Sequence, residues 1–275
     1  MKLPAITSRI FLTDIVVPAL SSTAFLALNV PLHGLPWYQD YASFLFCAVI
    51  GVYGGQRMIR ALRKELPEPR RSFYLRRAYV FTILITISFG SAIYFMIRLP
   101  APVPWILIAL GLVSVGYVWN PFSVKAALRY LPYVKSPVAA LVWSASTALI
   151  PGIMTRMPFP ELAGMTFARF LFALALILPF DEMHLEEDIK EGIQSVPGLL
   201  GKNGLLVIYV IIWLLYVIII SLFLQSGFIK TILCHTWISL FFGINYFLPM
   251  ECRWSLDTLP FWAFTNIHFV DILLK

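Results

Sequence analysis

The stretch Gly204-Leu-Leu-Val-Ile-Tyr-Val-Ile-Ile-Trp-Leu-Leu-Tyr-Val-Ile-Ile-Ile-Ser-Leu-Phe-Leu224 runs for 21 residues without a charge. A helix of about 20 apolar residues is long enough to cross the hydrocarbon core of a bilayer. Backbone groups in lipid must be hydrogen-bonded within the protein, which favours a helix over an isolated strand. This stretch therefore predicts a transmembrane helix.

Eight further apolar runs of similar character predict eight more spans. The period-2 alternation that is typical of a membrane β-barrel is absent. We therefore expect an all-α, polytopic transmembrane bundle of nine spans that forms a single integral membrane domain over residues 1–275. The other eight runs cover residues 15–30, 42–56, 78–97, 101–119, 136–155, 162–180, 231–250 and 258–274.

The composition excludes several classes of soluble protein. The hydrophobic residue types make up 60% of the chain and the charged types only 13%, whereas a soluble domain usually carries about 25% charged residues. A soluble globular enzyme and a nucleic-acid-binding domain are excluded. The net charge of +7 consequently has to be interpreted loop by loop.

The distribution of Lys and Arg predicts the orientation in the membrane, because cytoplasmic loops carry an excess of these residues. The N-terminus and the loops after spans two, four, six and eight hold 16 of the 21 basic residues, and the opposite side holds five. We therefore expect an integral protein of a bacterial-type inner membrane with a cytoplasmic N-terminus and an external C-terminus.

An acidic segment follows the sixth predicted span, with six of the chain's 14 acidic residues between Asp181 and Glu191. If the helix of that span continues past Phe180, Asp181, His184 and Asp188 lie on one face. Carboxylate oxygens suit Mg²⁺, which is often shared with the phosphates of a substrate. The segment indicates either a metal–phosphate site or simply a solvated helix end.

A basic loop follows the second predicted span, where Arg57 to Arg77 holds eight of the basic residues. These side chains could serve only to orient the chain and to meet anionic lipid headgroups. Alternatively, some of them bind a phosphorylated substrate at the membrane surface.

At the acidic segment the chain resembles the UbiA superfamily of intramembrane prenyltransferases. The resemblance rests on Pro179-Phe-Asp-Glu-Met-His-Leu-Glu-Glu-Asp188, followed by Gly192, Ser195-Val-Pro197 and Leu200-Gly201. It extends to Tyr130-Leu-Pro-Tyr-Val-Lys135, where that family commonly has a Tyr and a Lys. The length and the nine-helix plan agree as well.

The resemblance implies transfer of an isoprenyl group from a polyprenyl diphosphate to an aromatic or other lipophilic acceptor within the membrane. It implies Mg²⁺ held by Asp181, His184 and Asp188. Arg57, Arg60 and Lys135 are the candidate ligands of the diphosphate oxygens. Tyr53 and Tyr133 complete the set of candidate site residues.

The sequence departs from the family pattern in both acidic motifs. His184 stands where the second motif has its first aspartate, and the stretch from Tyr53 to Arg60 that matches the first motif contains no acid. Three hypotheses follow: a transferase that uses one metal together with basic residues, a catalytically degenerate protein that binds an isoprenoid lipid or quinone, and a membrane scaffold. Membrane lipid is a partner in each of them, and nucleic acid in none.

Overall fold

The computed structural model describes residues 36–68, 70–119, 123 and 126–223, together with 15–16, 18–20 and 22–23. In these ranges the regular elements are helices. The described residues divide into two compact units, one ending at Leu107 and the other beginning at Ile108.

Between residues 36 and 107, the first unit contains three complete helices: α1 (Tyr38–Leu62), α2 (Arg70–Arg76) and α3 (Ala78–Met96). Asp40 lies in the first turn of α1 and Arg60 in its last turn, where their charges complement the helix dipole. A fourth helix, α4 (Val103–Val118), begins in this unit and continues into the second.

Helix α1 packs against α3 through two glycines that allow close approach. A Cβ atom added at Gly51 would lie 3.3 Å from the ring of Phe89, and one at Gly54 would lie 3.1 Å from Ile85. Small residues of this kind let membrane helices approach each other closely. The two glycines therefore leave room on α1 for the side chains of Phe89 and Ile85 on α3.

The aromatic core of the first unit lies where α2 meets α3. The rings of Phe73 and Tyr74 are buried, and their centroids lie 5.5 and 4.7 Å from that of Phe81. Such tilted and edge-on contacts are favourable arrangements for aromatic pairs. They fix the short helix α2 to the start of α3.

The second unit is built around the long helix α7 (Phe159–Met183), which packs against α5 (Lys135–Ser144) and α9 (Val196–Phe223). Helix α5 continues through a π-helical turn into α6 (Ile150–Met154), so that Lys135–Met154 forms one span. Gly201, with φ 63° and ψ 179°, kinks α9 after its first turn. The remaining elements are the π-helical turn Ala145–Leu149, α6 (Ile150–Met154), α8 (Leu185–Glu191) and a 3₁₀ turn at Leu128–Tyr130.

Within the described ranges, five helices are long and apolar enough to cross a membrane, and the shorter α4 is apolar too. Large apolar side chains remain exposed on these helices, for example Trp105, Leu112 and Leu222, as expected of surfaces that face lipid. Five of the nine predicted spans are thereby confirmed as helices of spanning length, and the predicted span 101–119 corresponds to the shorter helix α4. The long helices are Tyr38–Leu62, Ala78–Met96, Lys135–Met154, Phe159–Met183 and Val196–Leu222.

The remaining three predicted spans fall wholly or mostly outside the described residues. These are residues 15–30, 231–250 and 258–274, and both chain ends lie outside as well. The full count of nine, the single domain and the orientation therefore stay predictions.

Candidate functional site

The acidic segment begins where α7 ends. The helix continues four residues past Pro179 to Met183 and stops at His184, whose φ of −101° and ψ of 11° are not helical. Helix α8 then starts at Leu185 and carries Asp188. The face that the sequence predicts across one continuous helix is thus split between two helices.

Two carboxylates of this segment converge on one ammonium group. The Nζ atom of Lys135 lies 2.8 Å from Oδ1 of Asp181 and 2.6 Å from Oδ2 of Asp188. Lys135 is the first residue of α5, so this contact joins the start of α5 to the end of α7 and to α8. Distances of this size are typical of strong hydrogen bonds between charged groups.

Ser136 is the second polar partner of Asp181. Its Oγ donates a hydrogen bond of 2.6 Å to Oδ2 of Asp181, and both residues are buried. One oxygen of Asp181 therefore accepts a hydrogen bond, and the other forms an ion pair with Lys135. Burial raises the pKa of the Asp188 carboxyl, while the nearby Lys135 ammonium acts in the opposite direction.

A second buried ion pair lies beside the first. Nη2 of Arg129 donates a hydrogen bond of 2.6 Å to Oε2 of Glu191, and only 5% of the Arg129 side chain is exposed. Arg129 comes from the 3₁₀ turn, and its guanidinium carbon lies 5.5 Å from the ring centroid of Tyr130. We refer to Arg129, Lys135, Asp181, Asp188 and Glu191 as the buried charge cluster, which carries two positive and three negative formal charges.

Two backbone features hold the loops of the buried charge cluster in place. Gly192 has φ 74° and closes α8, and the N–H groups of Ile193 and Gly192 donate to the carbonyls of Asp188 and Ile189, which is a Schellman motif. Tyr133 also adopts a positive φ of 61°, and its N–H donates to the carbonyl of Gln194. A left-handed backbone at a residue other than glycine requires such support from its surroundings.

Of the three predicted metal ligands, the structure brings together two. Asp181 and Asp188 meet at Lys135, whereas Nδ1 of His184 lies 3.4 Å from Oε2 of Glu187 and its ring packs on Phe180. The expectation of one shared face is corrected, because the helix breaks at His184. In the described part of the chain, no group of three or more His, Cys, Asp or Glu residues is arranged to hold a metal ion.

The predicted diphosphate ligands lie in different units. Lys135 belongs to the buried charge cluster of the second unit, while Arg57 and Arg60 lie on α1 in the first unit. Nε of Arg60 lies 3.6 Å from Oε2 of Glu65. Tyr53 also lies on α1, and Tyr133 lies just before Lys135 in the loop that Gln194 holds.

Sequence reasoning missed three members of this site: Arg129, Ser136 and Glu191. Ser136 follows Lys135 directly in the sequence, and this adjacency could have identified it as a candidate site residue. Arg129 and Glu191 are 62 residues apart, so only the tertiary structure reveals that they form a pair.

Comparison with known proteins gives the fold an independent test. The chain is similar to the apo structure of a UbiA homolog from Aeropyrum pernix K1, with a TM-score of 0.66 and 14% sequence identity. The match covers 93% of this chain and 97% of that one. No protein-family model matches the chain, and no curated protein matches it. The predicted fold is therefore confirmed: this chain is an all-helical membrane protein with the fold of a UbiA homolog.

Proposed function

We propose that the chain is a member of the UbiA superfamily that binds a polyprenyl diphosphate and transfers its isoprenyl group to an aromatic or lipophilic acceptor. The observation that carries this proposal is the buried charge cluster, which lies at the segments that resemble the superfamily's motifs. Ionisable groups buried in a membrane protein cost free energy, and they usually mark a functional site.

The chain's own cations would provide the binding chemistry. A diphosphate leaving group develops negative charge as its bond to the isoprenyl carbon breaks, and Lys or Arg side chains stabilise that charge. Lys135 lies in the buried charge cluster, and Arg57 and Arg60 are the further ligands predicted from the sequence. The apolar faces of the long helices suit the isoprenoid chain.

Magnesium would supply additional positive charge to the diphosphate in a superfamily member. The residues present do not fit the predicted three-ligand site, because Lys135 already occupies the space between the two carboxylates and His184 faces Glu187. The proposed reaction therefore relies on the chain's own cations at these two carboxylates. A metal requirement stays a prediction to be tested by adding Mg²⁺ to the assay below.

A second candidate function is supported by a specific observation. The two aspartates of the acidic segment already share the single ammonium of Lys135, and the five formal charges of the buried charge cluster sum to −1. A site with this charge repels a diphosphate unless a cation joins it. This favours a catalytically degenerate protein that binds an isoprenoid lipid or serves as a membrane scaffold.

The test measures binding of a non-hydrolysable thiolo analogue of geranylgeranyl diphosphate to the full chain in nanodiscs, with and without Mg²⁺. For a prenyltransferase whose diphosphate site uses Lys135, we expect Lys135→Met to weaken binding at least tenfold in the absence of Mg²⁺. The matched control Lys190→Met removes an exposed lysine of α8 that lies outside the buried charge cluster, and it should change affinity less than twofold.

Two outcomes contradict the transferase proposal. Equal losses in Lys135→Met and Lys190→Met would indicate diffuse surface charge. No binding to the unmutated protein, together with no diphosphate release from a natural prenyl diphosphate in the presence of phenolic acceptors, would favour the degenerate candidate.

A further inference from the structure

A positive charge, the ammonium group of Lys135, already occupies the position between Asp181 and Asp188. Both carboxylates point an oxygen at the same atom, Nζ of Lys135, at 2.8 and 2.6 Å. A magnesium ion shared by the two carboxylates would need oxygens at about 2.0–2.1 Å. It would therefore have to lie in the space that the ammonium fills, so that lysine and metal exclude each other.

The lysine is well placed to keep that position. The side chains of Lys135, Asp181 and Asp188 are 13%, 6% and 5% exposed, so water screens their attraction only weakly. The other oxygen of Asp181 accepts the hydrogen bond from Ser136. A metal ion would have to break both of the ammonium contacts before it could bind.

We propose that Lys135 is the resident cation of the acidic segment and that it prevents a divalent metal ion from binding between Asp181 and Asp188 in the free protein. This inference concerns the protein without substrate and does not depend on the proposed transferase activity. It also explains how two aspartates remain buried in the absence of a metal ion, because the ammonium compensates part of their negative charge.

Removal of the lysine should open a metal site. Lys135→Met keeps an unbranched side chain and leaves two buried carboxylates without their cation. We expect such a pair to bind a divalent ion at least tenfold more tightly than the unmutated protein, because the ion no longer has to displace the ammonium. The attraction between an ammonium and two buried carboxylates exceeds the free energy of a tenfold change in affinity.

The experiment measures Mn²⁺ binding by electron paramagnetic resonance on the full chain in a neutral detergent. The unmutated protein should show no Mn²⁺ site that depends on Asp188, whereas Lys135→Met should bind one Mn²⁺ ion. The double variant Lys135→Met/Asp188→Asn should lose that ion. Mg²⁺ should raise the melting temperature of Lys135→Met and leave that of the unmutated protein unchanged.

Two further variants control for charge. Lys135→Arg keeps a cation beside the aspartates and should not create a metal site. Lys190→Met removes a lysine from the exposed side of α8 and should bind no more Mn²⁺ than the unmutated protein.

The proposal is overturned by either of two results. One is a Mn²⁺ site in the unmutated protein that Asp188→Asn abolishes, a comparison that remains decisive even if Lys135→Met does not fold. The other is a Lys135→Met protein that elutes as a folded monodisperse species and binds no more Mn²⁺ than the unmutated protein. Prenyl diphosphate binding is measured separately, so its failure would not be confused with either result.

Discussion

Nζ of Lys135 lies 2.6 Å from Oδ2 of Asp188, a residue 53 positions further along the chain. This contact joins α5 to α8, and the same ammonium also holds Asp181 at the end of α7. Three helices of the second unit thus meet at one positive charge. The arrangement makes the stability of this end of the unit depend on a small number of buried polar contacts.

Ser136 should contribute measurably to stability through Asp181. Ser136→Ala removes the 2.6 Å hydrogen bond to Oδ2 of Asp181 and leaves a buried carboxylate oxygen without that donor, which costs about 1–3 kcal/mol. Thermal unfolding in detergent would measure the loss. Ser221→Ala is the matched control, because the exposed Ser221 hydroxyl bonds only to the carbonyl of Val217 in its own helix. Equal effects of the two substitutions would contradict the role of Ser136.

The fold follows from the sequence to a large extent, because uncharged apolar runs of span length have one physical solution in lipid. The run 78–97, for example, corresponds to a helix at Ala78–Met96. The ends of other helices extend beyond their apolar runs. Helix α9 begins at Val196, eight residues before the apolar stretch. Its first turn contains Pro197, which is tolerated at the start of a helix, and hydropathy alone does not reveal this turn.

The candidate site was predictable only in part. The spacing of Asp181 and Asp188 indicated a common site, and the structure does bring the two residues together. The prediction that His184 shares a helix face with the two aspartates was wrong. A face defined by i, i+3 and i+7 spacing requires a continuous helix, and this helix ends at Met183. The role of Lys135 as the partner of both aspartates depends on helix packing, which one sequence does not encode in any local pattern.

Arg129 and Glu191 should be strongly coupled. Breaking a buried ion pair by removal of one partner costs about 3–5 kcal/mol, so Arg129→Met and Glu191→Gln should each destabilise the chain. The double variant should lose clearly less than the sum of the two, because neither charge is then left alone. A double-mutant cycle on the free energy of unfolding measures this coupling.

The pair Arg98 and Asp40 provides a comparison for that cycle. Nε of Arg98 lies 3.0 Å from Oδ2 of Asp40, but 52% of the Arg98 side chain is exposed. Water screens exposed pairs, so the cycle Arg98→Met and Asp40→Asn should show a coupling several-fold smaller. A coupling at Arg98 as large as that at Arg129 would refute the importance of burial here.

Substitution of Gly192 should lower the stability of the protein because of its backbone conformation alone. Its φ of 74° lies in the left-handed region, and an added Cβ would meet nothing within 4 Å. Gly192→Ala should therefore cost about 1–2 kcal/mol from conformation, and it should speed hydrogen exchange at the N–H of Ile193, which bonds to Asp188.

Gly90→Ala is the matched control for Gly192. Gly90 lies within α3 and is equally open, with nothing within 4 Å of an added Cβ. Its backbone is helical, so alanine there should be neutral or stabilise by up to about 1 kcal/mol. The same sign of effect at both positions would argue against the conformational explanation.

The orientation in the membrane can be tested at two loops of the first unit. Lys64 lies between α1 and α2 within the basic loop, and Ala101 lies between α3 and α4. In a variant without the three native cysteines, Lys64→Cys should resist a membrane-impermeant maleimide in intact cells, and Ala101→Cys should react. The expectation rests on the excess of Lys and Arg in the predicted cytoplasmic loops. Both cysteines should react once the membrane is permeabilised, and labelling of Lys64→Cys alone in intact cells would reverse the predicted orientation.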